Sequence, residues 1–320
     1  MIVWILIILA SVAAIVWGAE TFAEHLGAAA VRLRVSVFAL SLLLAGAEPE
    51  ELVTAVAAAL KDVPGIAFGD VIGANIAICL MALGVGALIA PLPFGKQVRL
   101  YALLSVPIGV IATAFVWDGR VDRLEGGVLV FLYILYVAII WIKDRHPPAL
   151  GETEEIEEAQ AKLSANELQA PQSRIGKDLL LVLVGVITMA VGASILVEAV
   201  RQISSSEETQ TKLGLTLVGF ATAFELVVLA WSSARRGISE TVVAGVVGSF
   251  AYNVTMTLGV AAIVRPLQVL DATRLHTPLL LMLASLVLVI LLAVPKGYLS
   301  RVAGGILIAA YPLIAIAMLV

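Results

Sequence analysis

Long apolar runs alternate with short polar segments along almost the whole chain. A helix needs roughly 20 predominantly apolar residues to span the hydrocarbon of a bilayer. Ten runs approach or exceed that length and are predicted to be transmembrane helices: 2–18, 36–60, 65–90, 98–117, 125–143, 177–200, 212–234, 239–264, 277–294 and 298–319. The first run has no basic residues before it, so we interpret it as a retained span rather than a cleaved signal peptide.

The sequence also repeats itself. The tripeptide Glu-Leu-Val at 51–53 returns at 225–227, an offset of 174, and later matches are offset by 175. Each half holds five predicted spans, and an odd number forces the halves to enter the membrane in opposite senses. We therefore predict an all-α integral membrane protein of ten transmembrane helices, arranged as two inverted five-helix repeats. The predicted units are 1–143, with its repeated region at 36–92, an acidic linker at 144–176, and 177–320, with its repeated region at 212–267.

Composition agrees with a membrane protein. Hydrophobic residues make up 61% of the chain and charged residues 14%, and the mean hydropathy is +1.05. Soluble domains average about 45–50% apolar and about 25% charged residues. Cys79 is the only cysteine, which excludes an intrachain disulfide and a Cys-based metal cluster. No phosphate-binding loop or basic tract points to nucleotide or nucleic acid.

The distribution of basic residues predicts the orientation. With the N-terminus outside, 13 of the 20 Lys and Arg residues fall in inward loops, as the positive-inside rule favours. Both termini are then outside, in a multi-pass cell-membrane protein, and the 144–176 loop is cytoplasmic. The acidic stretch at 151–160 is interpreted as a solvated tether, since it lacks the glycine-turn ligand spacing that a calcium-sensing loop would need.

Glutamates inside two spans carry the candidate chemistry. A charged side chain at a helix centre costs roughly 2.5–3.5 kcal/mol on insertion scales, so it needs a reason. Glu51 and Glu225 occupy the same place in the two repeats, and a pseudo-two-fold axis would bring them face to face. Two converging carboxylates repel unless a cation lies between them or one is protonated. We predict a cation site, the alternative being neutral glutamates bonded to neighbouring helices.

Proline and small residues predict breaks beside these glutamates. Pro49 removes a backbone donor, and Gly46 lies close by, so span two should be interrupted around 45–49. The carbonyl freed near Ala45, with those of the candidate ligands Ala47 and, by symmetry in span seven, Ala221, would add the hard oxygen ligands that Ca²⁺ prefers.

Other polar residues extend the candidate site. Glu48 lies three residues before Glu51 on the same helix face, as a third ligand or a proton carrier. Four further candidate ligands are Thr222, Ser249, Asn253 and Asn75.

Three nearby residues are expected to play other parts. Glu50 lies about 100° from Glu51 around a helix and is not expected to face the site. Asp70, near a predicted span end, is expected to act as an interfacial cap. Gly73 is assigned to close helix packing.

These motifs resemble those of the calcium/cation antiporter superfamily. Its sodium/calcium exchangers carry two inverted repeats, each with a Gly-Thr-Ser-Leu-Pro-Glu-Leu-like break followed by a Gly-Asn-x-Ile-Gly-Ser-Asn-like segment. Residues 46–52 and 69–75 match in spacing, and 220–226 and 245–250 match more loosely. The resemblance implies ten spans, outside termini, a cytoplasmic loop, and ion-binding roles for Glu51 and Glu225.

The chain departs from this pattern at expected ligands. The family's Thr-Ser pair is Ala47-Glu48 here, and Ala74 and Ile78 stand where relatives place polar groups. In the exchangers such hydroxyls help to bind sodium, so their loss together with the gain of Glu48 favours proton coupling.

We therefore predict a secondary antiporter, not an enzyme, that exports Ca²⁺ in exchange for H⁺ or Na⁺ by alternating access. Its partners are inorganic cations and the lipid bilayer, without nucleic acid or a resident cofactor, and the sequence leaves its oligomeric state open. Two rivals remain: an antiporter-fold protein with altered selectivity or lost transport, and a metal-dependent membrane enzyme. The second rival has no HExxH or comparable pattern to support it.

Overall fold

Helices build almost the entire described structure, a computed structural model that covers residues 2–32, 48–144, 175–236 and 240–319. Within these ranges, nine helices are long and apolar enough to cross a membrane. The predicted span 36–60 starts outside the described ranges, and its described part is the helix Pro49–Leu60. The predicted all-helical membrane architecture is confirmed, with a span count close to ten.

The described part of the first half contains six α-helices and two short strands. They are α1 (Ile2–Arg32), α2 (Pro49–Leu60), α3 (Pro64–Ala77), α4 (Leu83–Ile89), β1 (Leu92–Pro93), α5 (Lys96–Val116), β2 (Arg120–Val121) and α6 (Arg123–Asp144). A π-helical turn at Ile78–Ala82 joins α3 to α4.

Among the residues described in the second half, eight α-helices and two strands are formed. They are α7 (Ile175–Ile203), α8 (Glu207–Leu213), α9 (Gly219–Thr222), α10 (Phe224–Arg236), α11 (Glu240–Tyr252), α12 (Leu258–Val264), β3 (Leu267–Gln268), α13 (Thr273–Ala293), β4 (Tyr298–Leu299) and α14 (Arg301–Leu319). Further π-helical turns occupy Gly214–Val218, between α8 and α9, and Asn253–Thr257, between α11 and α12.

Structural features recur at the offset found in the sequence. The π-helical turns Ile78–Ala82 and Asn253–Thr257 are 175 residues apart. The strands pair across the halves, β1 with β4 and β2 with β3, both antiparallel. Each half therefore completes a ladder begun by the other, and the two repeats interlock.

Glycines of one half also pack against glycines of the other half, in two contacts related by the repeat. A Cβ placed on Gly84 would lie 3.3 Å from the carbonyl oxygen of Gly304, and one on Gly259 would lie 2.7 Å from that of Gly126. In lipid, small residues allow helix backbones to approach closely in this way. Helix α4 thus packs on α14, and its repeat-mate α12 packs on α6.

The closest crossing between the repeats lies beside the candidate site. A Cβ on Gly69 would be 2.7 Å from the Leu215 nitrogen, and one on Gly73 would collide with the Leu215 carbonyl. A Cβ on Gly219 would lie 2.5 Å from the Ala74 nitrogen. Helix α3 therefore lies in backbone contact with the second half from the Gly214–Val218 turn to α9, and the packing role expected for Gly73 is confirmed.

Candidate functional site

Three glutamates surround the start of helix α2. Pro49 occupies the first helical position, where a missing N–H costs nothing and the fixed φ favours the helix. Glu48 precedes it as the cap residue, and its carbonyl accepts hydrogen bonds from the amides of Glu51 and Leu52 at 3.1 and 3.2 Å. The positive end of the helix dipole therefore points towards the carboxylates, which favours negative charge.

All three carboxyl groups are buried, although Glu50 was expected to point away. Glu48 and Glu50 are each 3% exposed and Glu51 is fully buried. Both side-chain oxygens of Glu51, Oε1 of Glu48 and Oε2 of Glu50 have no hydrogen-bond partner among the described residues. Buried charges in proteins are normally paired or coordinate a cation, so these oxygens are candidate ligands of a cation.

A chain of side-chain amides connects Glu48 to both repeats. Asn253 donates from Nδ2 to Glu48 Oε2 at 3.1 Å and to Asn75 Oδ1 at 3.2 Å. Asn75 in turn donates to the carbonyl of Phe250 at 3.3 Å. Ser249 also interacts with the Glu48 carboxyl group. The structure therefore brings together the predicted residues Glu48, Asn75, Ser249 and Asn253.

Thr222 is connected to the site through Asp70, which was expected to act as an interfacial cap. Its hydroxyl donates to Asp70 Oδ1 at 2.9 Å, while Asp70 Oδ2 is buried without a hydrogen-bond partner in the described part of the chain. Asp70 is fully buried, the seventh residue of α3 and so about 9 Å along it. The expectation that Asp70 caps a span at the interface was wrong, because α3 is covered by the second repeat from its first turn.

Span seven is interrupted beside Glu225. Helix α9 ends at Thr222, Ala223 forms a turn, and α10 begins at Phe224, so the break falls two residues beyond the expected Ala221. Glu225 lies half-buried in the first turn of α10 and interacts electrostatically with Glu50. That Glu51 and Glu225 share one ion stays a prediction.

Ala47 and the rest of 45–47, within the break predicted at 45–49, lie outside the described residues. Within the described ranges, no group of three acidic, histidine or cysteine side chains converges closely enough to hold a metal ion. A cation held here would therefore combine carboxylates with neutral oxygens, the kind of mixed set that hard cations accept.

Comparison with known proteins places the chain in a family. Residues 3–142 and 177–320 match the family described as sodium/calcium exchanger protein. The chain belongs to this family of exchanger-like cation antiporters, and the predicted resemblance is confirmed.

Its relatives agree over most of its length. The sodium/calcium exchanger MaX1 of Methanosarcina acetivorans is 26% identical over 332 residues, covering 90% of this chain and 91% of MaX1. The inner membrane protein YrbG of Escherichia coli is 25% identical over 267 residues, covering 83% and 79% of the two chains. The structure of the sodium-calcium exchanger NCX_Mj is 23% identical and superposes with a TM-score of 0.61 over 99% of this chain and 98% of its own, which shows a shared fold.

Proposed function

We propose that this protein is a secondary active antiporter that exports Ca²⁺ in exchange for H⁺ or Na⁺. The substrate site is the carboxylate cluster at the start of α2 together with Glu225. The observation that carries the proposal is Glu51, whose two oxygens are both buried and lack a hydrogen-bond partner among the described residues. A carboxylate kept in this state inside a membrane protein is expected to serve an ion pathway.

Charge balance favours a divalent substrate. Glu51 and Glu225 supply two negative charges from equivalent places in the two repeats, which together neutralise one Ca²⁺. Asn75 and Ser249 offer neutral oxygens of the kind that complete a calcium shell. Because the site lies where the repeats meet, moving one repeat against the other would expose it to each side in turn.

Glu48 supports exchange against protons. It stands where relatives have a hydroxyl, and Asn253 holds one of its oxygens while the other has no partner among the described residues. A carboxyl group so placed can carry a proton when the calcium leaves and release it when calcium returns. The first repeat offers apolar Ala74 and Ile78 at the positions where sodium ligands would stand, which weakens the case for exchange driven by sodium alone.

Uptake of labelled calcium by vesicles containing the purified protein tests the proposal. We expect uptake when an outward gradient of protons or sodium is imposed, and its loss in Glu51→Gln. Glu125→Gln is the matched control, because Glu125 lies in the first turn of α6 and accepts a bond from the Asp122 amide at 2.8 Å, remote in sequence from the cluster. Wild-type vesicles that take up no calcium under either gradient would instead support an antiporter fold without calcium transport.

Orientation belongs to the same proposal, with outside termini and a cytoplasmic 144–176 loop. Cys79 is the only cysteine and is buried, so Cys79→Ser gives a background for single reporter cysteines. A cysteine placed at Gly176 should react with an impermeant maleimide only after cells are opened, and one at Asp118 should react in intact cells. The reverse pattern would invert the orientation.

A further inference from the structure

An ion pair at the end of helix α2 joins the first repeat to the second. Lys61 follows the last residue of α2, and its Nζ lies 3.3 Å from Oε2 of Glu198 on α7. The repeat offset of 174 makes Arg235 equivalent to Lys61 and likewise makes Glu24 equivalent to Glu198. The chain therefore carries the same pair of opposite charges twice. We call Lys61 with Glu198 the first latch, and Arg235 with Glu24 the second latch.

We propose that the two latches close alternately. The first latch holds the conformation seen here, and the second latch holds the opposite conformation, in which the two repeats have exchanged their arrangements. The part that the latches play in transport rests on the proposed cation antiport, whereas the exchange of ion pairs itself does not.

The second latch is open in this structure. Glu24 is exposed on α1 and makes no ion pair or hydrogen bond with any described residue. Arg235 is exposed on α10, and its guanidinium lies 5.0 Å from the ring centroid of Trp231, one turn earlier in the same helix. Two halves in identical arrangements would have both latches closed or both open. One closed and one open latch therefore indicate an asymmetric conformation.

Helix packing shows the same asymmetry. Helix α7 packs along α2, whereas the equivalent helix α1 makes few contacts with α10 in the described part of the chain. In an inverted repeat, the opposite conformation is obtained when each half takes the arrangement that the other half has now. Helix α1 would then pack along α10 and bring Glu24 to Arg235, while α7 would leave α2 and open the first latch.

Helices α1 and α7 are joined closely enough to move as one unit. A Cβ on Gly18 would lie 2.9 Å from the Gly185 carbonyl oxygen, and one on Gly185 would lie 2.7 Å from the Gly18 carbonyl oxygen. His25 Nδ1 also lies 3.4 Å from Asp178 Oδ1 across the same two helices. A displacement of one helix therefore carries the other, so that closing one latch opens the other.

The two latches lie at opposite ends of this helix pair. The helices are antiparallel, because Gly18 faces Gly185 and His25 faces Asp178. Glu198 and Glu24 therefore lie on opposite sides of the glycine contact, about 19 residues apart, which is about 28 Å at 1.5 Å per residue. This separation is close to the roughly 30 Å thickness of the bilayer hydrocarbon. Each latch can therefore act at one face of the membrane.

Cross-linking of the purified protein in detergent, where a reagent reaches both faces, tests the alternation. In a Cys79→Ser background, Glu24→Cys with Arg235→Cys reports the second latch through the yield of a short bismaleimide cross-link. Lys61→Gln or Glu198→Gln, which break the first latch, should each raise that yield about two- to fivefold, the shift that an exposed ion pair can impose on a two-state equilibrium. Lys61→Arg, which keeps the charge, should leave the yield unchanged.

A neighbouring ion pair provides the matched control. Arg265 lies 2.9 Å from Asp62, the residue after Lys61, but it follows α12 and so joins α2 to a helix other than α7. Arg265→Gln should therefore leave the cross-link yield at the wild-type level.

Three results would overturn the latches. They are no cross-link between positions 24 and 235 in any variant, a yield unchanged by both Lys61→Gln and Glu198→Gln, and an equal rise in Arg265→Gln. Because cross-linking requires no transport, the expected rise in a protein that moves no calcium would support the latches and overturn only the proposed function.

Discussion

Replacing Gly219 by alanine should separate the two repeats at their closest crossing. The new Cβ would lie 2.5 Å from the Ala74 nitrogen and 2.8 Å from the Asp70 carbonyl oxygen, whereas ordinary contact begins at 3.4 Å. Both neighbours are backbone atoms of α3, so no side chain can rotate away. The helices must move apart by about 0.6–0.9 Å, and overpacking of this kind costs roughly 1–3 kcal/mol.

Alanine also has a higher helix propensity than glycine, worth up to about 1 kcal/mol, which partly offsets the clash. The net expectation for Gly219→Ala is a destabilisation of about 1–2 kcal/mol, or a Tm lower by several degrees at about 2–4 °C per kcal/mol. Gly127→Ala is the matched control, because a Cβ on Gly127, in the helix α6, has no neighbour within 4 Å. Gly127→Ala should leave the stability unchanged or raise it slightly, whereas Gly219→Ala should lower it.

The same displacement should reach the site. Thr222 lies three residues beyond Gly219, and its 2.9 Å bond to Asp70 crosses the gap that the alanine would widen. Cation transport should therefore fall in Gly219→Ala and persist in Gly127→Ala. Equal Tm values and equal transport in the two variants would show that the close backbone crossing is not a feature of the folded protein.

Three further predictions follow from the carboxylates. Glu51→Gln or Glu225→Gln should lower calcium transport by roughly 100-fold or more, because loss of one charge of a buried pair costs about 3–5 kcal/mol; undiminished flux in both would require a different site. Glu48→Gln should remove the dependence of sodium-free calcium uptake on a pH gradient, and an unchanged dependence would exclude Glu48 as proton carrier. Outside the membrane, the hydrogen bond from the Thr273 hydroxyl holds the pKa of Asp271 below its ordinary 3.8. A carboxyl group whose pKa is lowered on folding stabilises the folded protein at pH values above its pKa in the unfolded chain, and this stabilisation is lost on acidification. Asp271→Asn should therefore lower the Tm at pH 7, and the difference in Tm from wild type should shrink below pH 3.8. An equal Tm at pH 7 would contradict this.

The repeat made much of the site predictable. The offset singled out Glu51 and Glu225 as equivalent positions, and the three-residue spacing of Glu48 from Glu51 added a carboxyl group that the structure places beside Asn253. Pro49 was interpreted as part of a break in span two, and the described helix begins at Pro49, the first helical position that proline favours.

Two acids were missed for physical reasons. The angular argument excluded Glu50, but Pro49, Glu50 and Glu51 at the start of this helix are all buried, so the angle around the axis does not separate buried from exposed positions there. Asp70 was judged by its distance from a span end, whereas Gly69 and Gly73 let the second repeat cover that end of α3. An acid flanked by two glycines at helical spacing was the available signal.

Isotopic exchange of calcium tests the central claim most directly, because it needs no driving gradient and no knowledge of the coupled ion. Vesicles loaded with unlabelled Ca²⁺ should take up labelled Ca²⁺ through the wild-type protein by one-for-one exchange, and vesicles containing Glu51→Gln should not. Equal uptake by wild type and Glu51→Gln would contradict alternating access at this carboxylate site, as would wild-type uptake no greater than that of protein-free vesicles.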